Sequence, residues 1–319
     1  MAIPKETLLK MYRELLTGRV MDEKMYELFS AGGSGMPWLH RGTGEEAIPI
    51  AFCNNLRKDD YIKPNFRVAF CLFAKGLSLR DCLASECARD LPKVGGHYSY
   101  FDPEYGLLGH SGSLGEDVAI YVGAALSAKV RKSGQVSVCM FGDGAANRGP
   151  VHESMVVAAA WKLPMIFVIQ NNKYGMGTAS HKSYAIEDIS DRAKAYGFPG
   201  KTVDGNDIIA TYEVAKEFID RARSGGGPGL VVADTWRLRA HYEGDPQIYR
   251  PKGEADEWWK KDPLPRYQKK LMEMGLLTEA DVSKLEKEIR TEVDEAAKAA
   301  LEVPRMSYED YEKTVIAEL

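Results

Sequence analysis

Apolar positions recur along this chain with two different spacings. Between residues 5 and 30, Leu8, Leu9, Met11, Tyr12, Leu15, Leu16 and Val20 follow helical steps, which predicts an amphipathic helix. Gly32-Gly33-Ser34-Gly35-Met36-Pro37 breaks it. Residues 136–141 and 165–170 are short, mostly apolar runs of the kind that form strands buried on both faces. A helix is predicted between them, with Pro150 near its start, Met155-Val156-Val157-Ala158-Ala159-Ala160-Trp161 in its body and Pro164 past its end. Strand, helix and strand form a βαβ unit with parallel strands. After the break at Ser224-Gly225-Gly226-Gly227-Pro228-Gly229, Leu230-Val231-Val232-Ala233 reads as a further strand. Beyond Pro265 the chain turns charged and helical. Val282, Leu285, Ile289, Val293, Ala296 and Ala300 form a stripe suited to packing on the domain core, with a subunit contact as the alternative. The pattern predicts an α/β protein with a parallel sheet flanked by helices. Residues 1–255 form the α/β domain with N-terminal helices, and residues 256–319 form a C-terminal helical extension.

The chemistry concentrates where the two apolar runs end. Gly142-Asp143-Gly144-Ala145-Ala146-Asn147 closes the first, and Asn171-Asn172-Lys173-Tyr174-Gly175-Met176-Gly177-Thr178 closes the second. Parallel strands bring Asp143 and Asn172 side by side at the carboxyl edge of the sheet, where α/β proteins bind ligands. Mg²⁺ takes carboxylate, amide and main-chain oxygens. Asp143, Asn172 and the carbonyl of Tyr174 would supply one of each. Gly142 and Gly144 permit close backbone approach, and the amides opening the next helix favour an anion such as a diphosphate.

Other readings stand beside this one. A dinucleotide site needs Gly-x-Gly-x-x-Gly with an acid closing the second strand, whereas here Asn147 occupies the sixth place and the strand closes on Gln170-Asn171. Asp143 could be a helix cap. That leaves unexplained Asn172, which lies 29 residues further on at the next strand end.

Gly-Asp-Gly followed by Asn-Asn resembles the thiamine diphosphate signature. With the flanking Ala-Ala-Asn-Arg-Gly and Asn-Lys-Tyr-Gly-Met-Gly-Thr, the chain from roughly Leu8 to about residue 250 resembles the α subunit of the first component of 2-oxo acid dehydrogenase complexes, of the pyruvate and acetoin type. The resemblance implies a thiamine diphosphate-binding fold, with thiamine diphosphate and Mg²⁺ as cofactors. It gives the metal to Asp143, Asn172 and the Tyr174 carbonyl, and brings Gly142, Asp143, Gly144 and Ala145 to the cofactor. His40-Arg41-Gly42-Thr43-Gly44-Glu45-Glu46-Ala47 resembles His-Leu-x-x-Gly-Gln-Glu-Ala at the active-site entrance. Phe66-Arg67 falls where the family has Tyr-Arg, which implies that Arg67 reaches the diphosphate. The planar fork of arginine suits phosphate oxygens, although by itself Arg67 could be a surface ion pair. Thr235-Trp236-Arg237-Leu238-Arg239-Ala240-His241 resembles Thr-Tyr-Arg-Tyr-His-Gly-His, so His241 corresponds to the loop histidine near the diphosphate and substrate. Imidazole titrates near neutral pH, which would let His241 carry protons during acyl handover. By itself it could equally be a solvent histidine beside Glu243.

Departures from the pattern bear on the acceptor. Ala69 stands where the family has a histidine, and Gly-Gly-Ser-Met-His becomes Gly95-Gly96-His97-Tyr98-Ser99. Gly112-Ser113-Leu114-Gly115 replaces Gly-Ile-Val-Gly and looks more like transketolase, with Leu114 beneath the cofactor and nearby main-chain groups, Gly112 included, bonding its aminopyrimidine. The glutamate that activates the aminopyrimidine comes in this family from a separate β chain, which implies a site completed between two α and two β subunits. The implied reaction cleaves a 2-oxo acid or an acetoin-like ketol and passes the acyl group to a lipoyl domain of an acyltransferase. His241-Tyr242-Glu243-Gly244-Asp245 resembles the His-Phe-Glu-Gly-Asp run of acetoin dehydrogenases. The alternatives are a non-oxidative carboligase that transfers a two-carbon unit to an aldehyde or ketone, and a non-catalytic regulatory subunit.

Composition fits a cytoplasmic enzyme subunit: 319 residues, 45% hydrophobic and 28% charged, provide a large α/β core. No apolar run approaches the roughly 20 residues of a membrane helix, and the start of the chain lacks a signal-peptide pattern. A formal net charge of −4 argues against nucleic acid as the main partner. Cys53, Cys71, Cys82, Cys87 and Cys139 lack metal spacing and read as buried free thiols of a reducing compartment.

Overall fold

Five strands form one wholly parallel sheet: Tyr61–Lys63 (β1), Ser137–Gly142 (β2), Met165–Asn171 (β3), Gly200–Asp204 (β4) and Gly229–Asp234 (β5), in the spatial order β1-β2-β3-β5-β4. The computed structural model describes residues 3–91, 100–305, 307–309 and 312. The runs are mostly apolar because both faces of the sheet are covered. Period-two alternation divides their side chains between two cores. Val138, Met140, Ile166, Val168, Val231 and Ala233 point into one, Cys139, Phe141, Phe167, Ile169, Leu230 and Val232 into the other. All five cysteines are buried free thiols. Burial pushes the thiols of Cys53 and Cys139 up to about 12, so they behave as small hydrophobes.

The N-terminal helix, Lys5–Ala31, buries Leu8, Met11, Tyr12, Leu15, Leu16 and Val20 and ends where Gly32 turns to φ 74°. The C-terminal helix, Glu279–Glu302, starts from a capping box between Thr278 and Asp281. It buries Ile289, Val293, Ala297 and Ala300 against helix Leu79–Glu86 and the N-terminal helix, the core packing its stripe predicted. The two ends of the chain therefore close one side of the domain together.

The predicted crossover helix is Gly149–Ala160, with Pro150 in its first turn and Trp161 as its C-cap. It packs beside helix Val118–Arg131 and returns the chain to β3, so the carboxyl ends of β2 and β3 lie next to each other, with Gly142 opposite Gln170. Among the described residues no helix is long and apolar enough to cross a membrane.

Candidate cofactor site

Asp143 and Asn172 each stand one residue beyond a strand end, both buried. Lys173 then takes a left-handed conformation, φ 72°, and turns the chain into the short hairpin of Tyr174–Gly175 with Thr178–Ala179. This fold-back carries Gly175 against Gly144. A Cβ on Gly144 would come within 3.2 Å of the Gly175 Cα, tighter than an ordinary contact, so a side chain there would press the two loops apart. At Gly142 a Cβ would meet nothing within 4 Å, because that position faces a cavity.

The cavity holds about 280 Å³ and is lined by Phe66, Arg67, Leu114, Gly142, Asp143, Gly144, Ala145, Asn172, Tyr174 and His241, together with Asn65, Arg148, Gly175, Met176 and Arg237. All the sequence-predicted site residues but one thus converge. The exception is Gly112, which is exposed on the loop before Leu114 and does not line the cavity. Leu114 is 37% exposed, at the mouth. Ala69 is fully buried and does not line the cavity, while Gly95-Gly96-His97-Tyr98-Ser99 lies outside the described residues.

Asp143 caps neither helix that follows: the 3₁₀ turn Ala145–Asn147 has Gly144 at its cap, and helix Gly149–Ala160 has Arg148. Burial pushes the Asp143 carboxyl up to about 6, against the pull of its own and Gly144's backbone N–H groups and of Ser180. Lys173 is engaged instead with Asp234 at 2.7 Å. Asn172 donates from Nδ2 to Glu45 Oε1 at 3.0 Å and accepts at Oδ1 from the Tyr174 N–H at 3.3 Å. The Tyr174 ring turns into a separate cluster with Trp236 and Leu238, and its hydroxyl donates to Glu254.

Arg67 sits at the start of the 3₁₀ segment Phe66–Lys75, whose cap, Asn65, accepts from the Arg67 N–H. It is buried, not a surface ion pair. Its guanidinium donates to the carbonyls of Arg41 and His241, lies 3.2 Å from His241 Nδ1 and faces Glu45 Oε1 at 3.5 Å. Arg237 approaches the same Nδ1 at 3.2 Å.

This corrects the expectation that His241 titrates near neutral pH. Burial, then the charges of Arg67 and Arg237, push its pKa down to about 3. Two guanidinium donors at Nδ1 leave the proton of the neutral ring on Nε2. His241 is half-buried inside the site, not a solvent histidine beside Glu243.

Glu45 and Arg237 belong to this constellation although neither was singled out from sequence. The signal for Glu45 was a pair of acids directly ahead of the wholly buried helix Ala47–Cys53. For Arg237 it was an arginine at the end of an apolar strand.

The residues present suit a metal-bound diphosphate. One carboxylate and one amide oxygen, with a main-chain carbonyl beside them, make a hard-oxygen donor set. No cluster of three His, Cys, Asp or Glu side chains able to hold a metal exists among the described residues. Asp143 is a buried acid whose carboxyl burial pushes up, Glu45 Oε2 has no hydrogen-bond partner, and a Cβ at Gly142 would meet nothing within 4 Å.

Residues 12–309 match the model of the dehydrogenase E1 component family. The chain belongs to that family. The match continues through the C-terminal helices, well past the residue-250 limit read from motifs. The chain is 39% identical to the α subunit of acetoin:2,6-dichlorophenolindophenol oxidoreductase of Bacillus subtilis (strain 168), over 94% of this chain and 90% of that protein. It is 36% identical to the pyruvate dehydrogenase E1 component subunit alpha of Rhizobium meliloti (strain 1021), over 94% and 87%. It is 35% identical to the 2-oxoisovalerate dehydrogenase subunit alpha of Bacillus subtilis (strain 168), over 92% and 90%. The dehydrogenase E1 α chain is thus the α component of a thiamine diphosphate-dependent oxidoreductase, and the naming of these relatives as α subunits implies a partner subunit.

Proposed function

We propose that this chain is the diphosphate-binding half of an enzyme built from two α and two β subunits in the cytoplasm. Together they cleave a 2-oxo acid or an acetoin-like ketol and hand the acyl group to a lipoyl domain. The observation that carries this reading is the convergence of Asp143, Asn172, Arg67 and His241 on one cavity at the carboxyl edge of a parallel sheet.

Asp143, Asn172 and the Tyr174 carbonyl would hold Mg²⁺, and Arg67, with Arg237 close by, would balance the diphosphate. Leu114 at the mouth would support the ring system, with the main chain from Gly112 onward serving the aminopyrimidine. Thiamine diphosphate supplies the carbanion and the electron sink of the reaction; the protein supplies orientation and charge. His241, neutral beside two guanidiniums, offers an Nε2–H donor to a developing oxyanion or carboxylate. A proton-shuttle role would require those two charges to be drawn off by the diphosphate.

One observation favours the carboligase reading. Ala69 stands where the resembled pattern carries an imidazole, so this chain has no titratable group at that position. The regulatory-subunit reading has the intact metal-ligand set against it. Incubating the α and β subunits with pyruvate or acetoin, and with either a lipoyl domain or an aldehyde, separates the two catalytic readings by mass spectrometry. The proposal expects an acylated lipoyl domain; ketol formation without acylated lipoyl product would overturn it.

A further inference from the structure

Glu45 stands behind the cavity with no task in the account so far. It is fully buried, on the segment between the N-terminal helix and Ala47–Cys53, and its segment is tied down on both sides. Asp22 accepts from Arg41 Nε, Gly42 N–H and the Thr43 hydroxyl at 2.7, 2.7 and 2.5 Å. Glu46 accepts from the Gly44 N–H at 2.6 Å and from Arg19 Nε at 2.7 Å. The Glu45 carboxylate is thus presented to Asn172 by a rigid frame.

The two ends of an asparagine amide are nearly the same size, so only the hydrogen-bonding neighbours select which end faces where. At Asn172 the Tyr174 N–H can only donate, and the Glu45 carboxyl, which burial pushes up and the Arg67 guanidinium pulls back toward its charged form, accepts as a carboxylate. Glu45 Oε1 is an acceptor on one side, and the Tyr174 N–H is a donor on the other. Turning the amide over would set oxygen against carboxylate and N–H against N–H, two mismatches at once in a buried place. We infer that Glu45 is a positioning residue whose carboxylate fixes the Asn172 amide so that Oδ1, not Nδ2, is offered to the divalent cation. This rests on the assignment of Asp143 and Asn172 as metal ligands. Two further details suit the role. The Oδ1 bond to Tyr174 is long at 3.3 Å, which leaves oxygen lone-pair capacity, and the same carboxylate faces the Arg67 guanidinium at 3.5 Å. A residue 127 positions upstream of Asn172 thereby sets the chemistry of the strand end.

Calorimetric titration of Mg²⁺ into the full chain with its partner subunit, in the presence of thiamine diphosphate, tests this with four variants. Asp143→Ala reports on the metal reading itself. Glu45→Ala weakens Mg²⁺ binding by about tenfold or more, the range seen when groups that orient metal ligands are removed. Asn172→Asp also weakens it, because two buried carboxylates then oppose each other. The double variant Glu45→Gln/Asn172→Asp binds Mg²⁺ more tightly than Asn172→Asp alone, since the glutamine amide donates to the new carboxylate. That rescue requires Glu45 to face the residue-172 ligand directly, and a Glu45 role elsewhere in the frame would not produce it. Wild-type Mg²⁺ affinity in Glu45→Ala alongside its loss in Asp143→Ala overturns the inference and leaves the metal site standing. Unchanged affinity in Asp143→Ala overturns both. Should Glu45→Ala fail to fold, the comparison of the double variant with Asn172→Asp decides the matter, and absence of rescue overturns the inference.

Discussion

At the scale of single residues the site is governed by burial acting against charge. Burial pushes Asp143 up to about 6, while burial and then the charges of Arg67 and Arg237 push His241 down to about 3. The folded pKa of His241 lies below its ordinary 6.5, so its contribution to stability is complete above pH 6.5 and is lost as the pH falls towards 3. Histidine-labelled NMR of the cofactor-free protein should show a neutral ring with the proton on Nε2 throughout pH 5–8. Protonation with a midpoint near 6.5 would contradict the arrangement. Asp143 and Asn172 were legible in the sequence because each follows an apolar run that ends in glycine or asparagine, a local signal. Glu45 and Arg237 were not, since their roles arise only when residues far apart in the chain meet at one amide and one imidazole. The low pKa of His241 was equally hidden, for it is set by Arg67, 174 positions away, as well as by the nearby Arg237.

At the scale of elements, the N-terminal helix is the frame on which the cavity wall hangs. Arg19 binds Glu46 at 2.7 Å and grips Asp262 through two hydrogen bonds of 2.8 and 2.7 Å, joining this helix to the entrance segment and to the start of helix Pro263–Glu273. Glu46 and Asp262 are both buried, so removing the arginine strands two carboxylates. Arg19→Met should cost about 3–5 kcal/mol, read as a lowered denaturant midpoint. A change under about 1 kcal/mol would mean that water or other donors satisfy both acids. Strands β2, β3 and β5 and both terminal helices were readable from apolar spacing. β1 and β4 were not: β1 has three residues and β4 is a largely exposed edge strand, so neither carries an apolar run.

At the scale of the whole molecule, the chain presents one side of a cofactor cleft. The described cavity has arginines, a metal-type donor set and a neutral imidazole, and its lining includes no glutamate. The α chain alone should therefore show negligible turnover of pyruvate or acetoin with an artificial electron acceptor, and addition of the β subunit should restore it. Substantial turnover by the α chain alone would refute a divided site. Family membership was legible because the motifs at the two strand ends sit on the most regular part of the fold. The donor and acceptor were not legible, because the motifs at the strand ends describe the metal and diphosphate and not the substrate.

The central claim is that the ends of β2 and β3 hold a metal-bound diphosphate, and Asp143→Ala examines it most directly. Titrating thiamine diphosphate with Mg²⁺ into the α and β subunits by calorimetry should show affinity reduced at least tenfold in this variant, about 1.4 kcal/mol. The β2 and β3 pairing should be preserved, because Asp143 lies beyond the ladder. Cofactor binding equal to that of the wild type would contradict the account.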